Sequence, residues 1–198
     1  MVGRSKRLQS TLPHTSVAPL PDLAPCAVAA AGALRRRIAE DGSTWRAVLL
    51  RLLRNVAAEF GAVASFAAVV LYDLLGAHAG EDVCRRGMLS GDRGLAEVVG
   101  GLLDGCVHDV KGILKYCLAA LVLLLRDEAE GVRANTGLAG RVSVVLGRLV
   151  EGVATLQGEV QCLVVEAVHW AAACVPGVEP PVRGSSLCAD AQALLEQH

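Results

Sequence analysis

Aromatic residues are scarce in this chain: two Trp, two Tyr and two Phe make up 3% of 198 residues. So few rings leave little stacking surface for bases or sugars. Net charge is also nearly absent, at −1, so no global basic field exists to hold a phosphate backbone, and nucleic acid is not an expected partner. No two cysteines form a CxxC, there is no P-loop, and no GxGxxG lies between a strand and a helix. No alternating run bounded by turn residues appears, so no strand is expected. The longest uncharged run near the middle of the chain, residues 60–72, and the next, 116–125, fall short of the roughly 18–20 residues that cross a bilayer. Lys115 and Arg126 bracket the second run, which reads as a buried core helix. No apolar stretch follows the basic residues Arg4, Lys6 and Arg7, so a secretory signal is not expected and the chain reads as intracellular.

What is abundant is aliphatic. The chain is 53% apolar, mainly Ala, Val and Leu, and it carries 21 glycines. Glycine inside a helix costs roughly 1 kcal/mol, so several of these are expected at helix ends or where two backbones approach. Cys26, Cys84, Cys106, Cys117, Cys162, Cys174 and Cys188 mostly sit inside helical apolar patterns, as reduced core residues would. A chain of this length can build its own core without a disulfide framework.

Residues 1–21 contain Pro13, Pro19 and Pro21, frequent Ser and Thr, and no acid. They read as an extended or disordered arm, a composition shared with organelle-targeting segments. A helical bundle is expected over 22–176, and a linker with a short final helix, SLCADAQALLEQH, over 177–198. The first bundle helix is expected from near Asp22 to Gly42, with Asp22 as cap and Gly42 as stop. Arg35, Arg36 and Arg37 near its end complement the negative pole of the helix dipole, and are also the candidate anion or lipid head-group contact.

Three long periodic segments follow. The first starts at Ser43-Thr44, which are good capping residues; the second starts after Asp92; the third spans about 139–175 and stops at Pro176-Gly177. In the third, Leu146, Leu149, Val153, Leu156, Val160, Leu163, Ala167, Trp170 and Cys174 step by three and four without a slip. That spacing is a heptad seam, and Arg148, Glu151, Glu159 and Glu166 fall off it. The matching positions are Trp45, Leu49, Leu52 and Val56 in the first segment, and Leu95, Val99 and Leu102 in the second. A shift of 50 aligns the first segment with the second, for example Leu49 with Val99; a shift of 47 aligns the second with the third, for example Leu102 with Leu149. Convergence on one heptad pattern explains this more simply than an ancient repeat does. Unbroken, each helix would be about 50 Å long. Gly61, Gly76, Gly112 and Gly158 are the places where breaks would fall, and Gly80–Gly91 and Gly131–Gly137 read as the reversals. The expected fold is an all-α antiparallel bundle of about four main helices, three of them long, with heptad-like seams.

Candidate chemistry is thin. Glu59 and Asp109 hold equivalent heptad positions and would pair if both faced the seam. A local register shift that turns Phe60 and Val110 inward is the simpler arrangement. Glu166 and His169 form an ExxH, the spacing di-iron bundles use twice, but here the second helix offers Asp104 and His108 at a different spacing. Cys162 could join Glu166 and His169 on one helix face, with no ligand identifiable on another helix. His108, Asp109 and Cys106 are too close in sequence to face one another on a helix. No catalytic, cofactor or metal site is therefore expected, and no cofactor.

Three functional expectations remain. The first is a non-enzymatic adaptor or structural subunit of a larger assembly, binding a protein partner through part of its apolar excess. The unbroken seams would also suit a homodimer. The second is a membrane-associated regulator of the helix-in-groove kind. In size and in its hydrophobic central helices the chain resembles the Bcl-2 class of apoptosis regulators. TWRA at Thr44–Ala47 resembles the NWGR signature without its Gly and Asn. LRRRIAED at Leu34–Asp41 resembles the LxxxGD-type helix with a different apolar spacing, and the order and separation of the two stretches differ. That resemblance implies capture of an amphipathic helix. The third is a carrier of lipid or another hydrophobic ligand inside the bundle, with peripheral membrane contact.

Overall fold

The second and third periodic segments are each divided near their middle. The computed structural model describes residues 33, 35–54, 61–76, 82–107 and 112–178, and the regular structure among them is all helical. The first segment gives α1 (Gly42–Arg54) and α2 (Gly61–Leu75). After α3 (Asp82–Leu89), the second gives α4 (Gly94–Cys106) and α5 (Ile113–Asp127). After α6 (Ala129–Ala134), the third gives α7 (Thr136–Glu151) and α8 (Gly158–Cys174), with a 3-10 turn at Val153–Thr155 between them. The two helices of each segment pack on each other.

In these two segments a helix of 13 or 16 residues is followed by a break, then by a helix of 15 or 17. The second helices start at Ile113 and Gly158, 45 residues apart, so the breaks do not superpose at the shift of 47 that the apolar residues suggest. Three of the four anticipated glycines mark ends: Gly76 follows the last residue of α2, Gly112 precedes α5 and Gly158 opens α8; the stretch before Gly61 lies outside the described residues. Gly112 has φ of +93°, which a Cβ would strain, so the sharp entry into α5 requires glycine.

Several expectations are corrected locally. Gly42 does not end the preceding helix: residues 35–40 are helical, the chain kinks at Asp41, and α1 begins at once. The cap of α1 is Asp41 rather than Ser43-Thr44; Oδ1 of Asp41 accepts from the Thr44 N–H at 3.2 Å and from Ser43 Oγ at 3.1 Å. Hydrogen bonding from the Thr44 side chain, then from the Thr44 N–H and from Ser43, holds the Asp41 carboxyl below its ordinary pKa. The two anticipated reversals are not plain loops, since α3 lies within the first and α6 overlaps the second. Helix α3 sits there because its backbone meets α1 directly: a Cβ on Gly42 would overlap the Gly87 carbonyl. Helix α7 starts earlier than the apolar pattern does, because the Asn135 side chain accepts from Leu138 N–H at 3.0 Å and caps it.

Helix α5 lies at the centre, packed against α2, α4 and α8. Its sequence ILKYCLAALVLLLRD is apolar nearly all round, and Ile113, Cys117, Leu118, Ala120, Leu121, Val122, Leu124 and Leu125 are buried. A helix apolar on every side has to be enclosed on several sides to leave water, and α5 is enclosed on three. No helix among the described residues is long and apolar enough to cross a membrane.

Two buried arginines fasten the short helices to this centre. Arg46 on α1 donates from Nε to Glu97 Oε2 at 2.9 Å and from Nη1 to the carbonyls of Met88 and Ser90, each at 2.9 Å. Arg85 on α3 pairs with Asp127 at 2.6 Å and Glu128 at 3.0 Å, holding α3 to the corner between α5 and α6. Hydrogen bonds to Arg126 and Arg85 keep the Asp127 carboxyl below the usual range.

Candidate functional site

The residues singled out by the heptad pattern are core. Leu49, Val99, Leu102, Leu146, Val153 and Val160 are buried; Trp45, Leu52, Leu95, Leu149, Leu156, Leu163 and Trp170 are half-buried and packed on the core. Val56 lies outside the described residues. From Leu146 to Cys174 every seventh residue is buried and the intermediate seam positions are half-buried. Yet the backbone is not one helix: after the 3-10 turn Leu156 is extended, with φ −82° and ψ 158°. The Gln161 side chain fixes this bend by donating to the carbonyls of Val153 at 3.1 Å and Leu156 at 3.0 Å. The half-buried seam side chains pack on the core with one edge open to solvent.

The polar candidates are scattered. Arg35, Arg36 and Arg37 are exposed, on the helical run that ends at Asp41. Glu166 and His169 are exposed on α8, and the His169 ring packs edge-on to Trp170 with centroids 5.2 Å apart. Glu59, His108 and Asp109 lie outside the described residues. Among the described residues, no three His, Cys, Asp or Glu side chains come together as a metal-holding group. Cys106 and Cys117 are buried in the core, and desolvation pushes both thiols up, Cys117 to about 12, so neither is a thiolate at neutral pH. Arg46, in the TWRA stretch, is committed to Glu97 and two carbonyls and has no reach to spare for a partner.

The feature the heptad pattern missed is on α2. Phe66 is 67% exposed, the most exposed large apolar side chain among the described residues. Val63 and Ala62, three and four positions before it, are exposed on the same side, and Val69 and Val70 continue the strip half-buried. The only charge in α2 is Asp73, near its C-terminal end. The opposite side of the helix buries Ala64, Ala67, Ala68 and Leu71. Small alanines let the first half of α2 lie close against its neighbours while Val63 and Phe66 point outward; Leu71, Leu74 and Leu75 are buried farther along. The signal was in the sequence: residues 60–72 are the longest uncharged run near the middle of the chain, and a run with no charge on any side must either be enclosed or present an apolar face. Helix α2 presents one.

Comparison of the chain with models of protein families, with curated proteins and with solved structures finds no match.

Proposed function

We propose that the chain is a non-enzymatic helical interaction module, an adaptor or structural subunit that binds a protein partner through the outer face of α2. The observation that carries this reading is Phe66, a large ring in water amid Ala62, Val63, Val69 and Val70, with no charge between Gly61 and Tyr72. Covering such a ring is favourable by about 1.5–3 kcal/mol, and a rigid aromatic anchor in an apolar patch is the usual energetic centre of a protein interface. In this reading α2, α4, α5 and α8 form a four-helix scaffold whose task is to hold that face rigid. The partner expected is a protein with a complementary apolar helix or groove.

Native mass spectrometry of the chain purified gently from its own source tests the reading, with Phe66→Asp as the comparison. The wild type is expected in a complex of defined partner mass, and Phe66→Asp as a lone monomer with an unchanged helical spectrum and melting temperature. A lone monomer for both proteins overturns the reading.

A further inference from the structure

The breaks in the second and third segments meet. Cys106 and Val107 at the end of α4, Leu114 at the start of α5, Arg148 and Leu149 on α7, and Gly152, Thr155 and Leu156 in the bend surround a cavity of about 210 Å³. Its wall mixes the apolar side chains of Val107, Leu114, Leu149 and Leu156 with Thr155, Gly152 and the exposed Arg148. Like Arg36, Arg37, Arg51 and Arg93, Arg148 makes no ion pair or side-chain hydrogen bond among the described residues, whereas Arg46, Arg85, Arg126 and Arg141 each pair with a carboxylate; of the unpaired arginines, Arg148 lines this cavity. The other polar groups of the bend are already satisfied. Thr155 Oγ donates to the Gly152 carbonyl at 2.7 Å, the Thr155 N–H bonds the same carbonyl, and the Leu156 N–H bonds Val153. The N–H groups of Val107 and Gly152 are bonded within their own helix ends. The guanidinium is thus the charged donor left over at the cavity, and the first turn of α5 contributes no acidic residue against it.

The geometry points to a binding site for a compact apolar carboxylate, an aryl or branched-alkyl acid of about ten non-hydrogen atoms. Its apolar body fills the space between Leu114, Leu149 and Leu156, and its carboxylate meets Arg148. Size sets the scale. The cavity is somewhat larger than the roughly 150 Å³ engineered cavity that holds benzene, and smaller than the roughly 300 Å³ at which drug-sized sites begin, so a compact ligand fills it; it is open to solvent on one side. Charge sets the class: a guanidinium without a partner recognises a carboxylate through paired N–H donors. The same chemistry is offered by a free small acid and by a polypeptide ending in an apolar residue. This site does not involve the α2 face, so the two proposals stand or fall separately.

Titration of the full chain followed by amide NMR tests it, with 3-phenylpropionate and the peptide acetyl-Gly-Gly-Phe as probes and 3-phenylpropan-1-ol as the uncharged control. The free acid is expected to shift the amides of Val107, Leu114 and Thr155 with Kd of about 0.1–1 mM, the range open to a ligand of this size. Arg148→Met, which keeps the aliphatic stem, is expected to weaken the acid at least tenfold and leave the alcohol unchanged. Leu149→Trp, which fills the cavity, is expected to abolish both. Tighter binding of the peptide than of the free acid identifies a chain terminus as the natural ligand, and the reverse identifies a small organic acid. Equal binding of acid and alcohol, binding unaffected by Arg148→Met in a well-dispersed spectrum, or shifts that map elsewhere would overturn the site. Phe66→Asp is expected to leave these affinities unchanged.

Discussion

Helices α2 and α5 contain the two longest uncharged runs near the middle of the chain, and by hydropathy alone they are the same kind of helix. The fold treats them differently. Helix α5 is enclosed by α2, α4 and α8, and Ile113, Leu118, Leu121, Leu124 and Leu125 are fully buried. Helix α2 buries three alanines and three leucines and turns Val63 and Phe66 to water. Apolar character therefore marks a helix as one that must be covered without saying by what. Where the rest of the chain supplies the cover, the helix is core; where it does not, the helix is a candidate surface for something else.

This contrast predicts unequal costs for comparable changes. Leu121→Ala in α5 is expected to destabilise the protein by about 2–5 kcal/mol, because its fully buried side chain leaves a cavity on removal; urea unfolding followed by circular dichroism measures this, and a loss under about 1 kcal/mol would mean that α5 is not enclosed as described. Next comes Arg46→Met, expected to cost about 1–3 kcal/mol, since the carbonyls of Met88 and Ser90 lose their donor in a largely buried place. The same unfolding experiment reads it, and amide exchange in α3 should quicken along with it.

The dryness around α5 has a pH signature. Burial lifts the Cys117 thiol from the ordinary 9.0 to about 12, so the folded protein holds that proton more tightly than the unfolded chain does. The stability this contributes is fully present below pH 9 and falls above it, by up to about 1.4 kcal/mol per pH unit, as the unfolded thiol ionises and the folded one does not. Cys117→Val should match the wild type at pH 7 and lose stability less steeply between pH 9 and 10; parallel curves for the two proteins would count against a desolvated thiol. The smallest effect belongs to α2. Phe66→Ser is expected to change stability by less than about 0.5 kcal/mol, the range of an exposed site. A cost approaching that of Leu121→Ala would show that Phe66 is covered by the chain itself and would remove the basis for the proposed interface.

The legible and illegible parts of this fold can be told apart residue by residue. Helix type was legible because three-and-four spacing leaves no other way to gather Leu146, Val153, Val160, Ala167 and Cys174 on one side. Helix continuity was not: the same spacing runs straight across Gly152–Gln157, because the 3-10 turn and the extended Leu156 carry the chain onward with the burial rhythm intact. The short helices α3 and α6 were hidden in stretches that read as reversals. The reason α3 forms there is its backbone contact with Gly42, which is far away in sequence. Of the proposed surface, the uncharged run was visible and its outward direction was not.

The sequence by itself determined that the chain is helical, that its apolar periodicity builds one aliphatic core, and that Gly76, Gly112 and Gly158 would mark helix boundaries. These follow from local sterics and from the 3.6-residue period, which act within a few residues of one another. Only the tertiary structure decided which apolar helix is enclosed and which stays open, which arginines meet a carboxylate and which do not, and that two helix breaks come together around a cavity. Those outcomes depend on which distant segments arrive to cover a surface or neutralise a charge. Coverage and charge pairing are properties of the packed chain and not of any stretch within it.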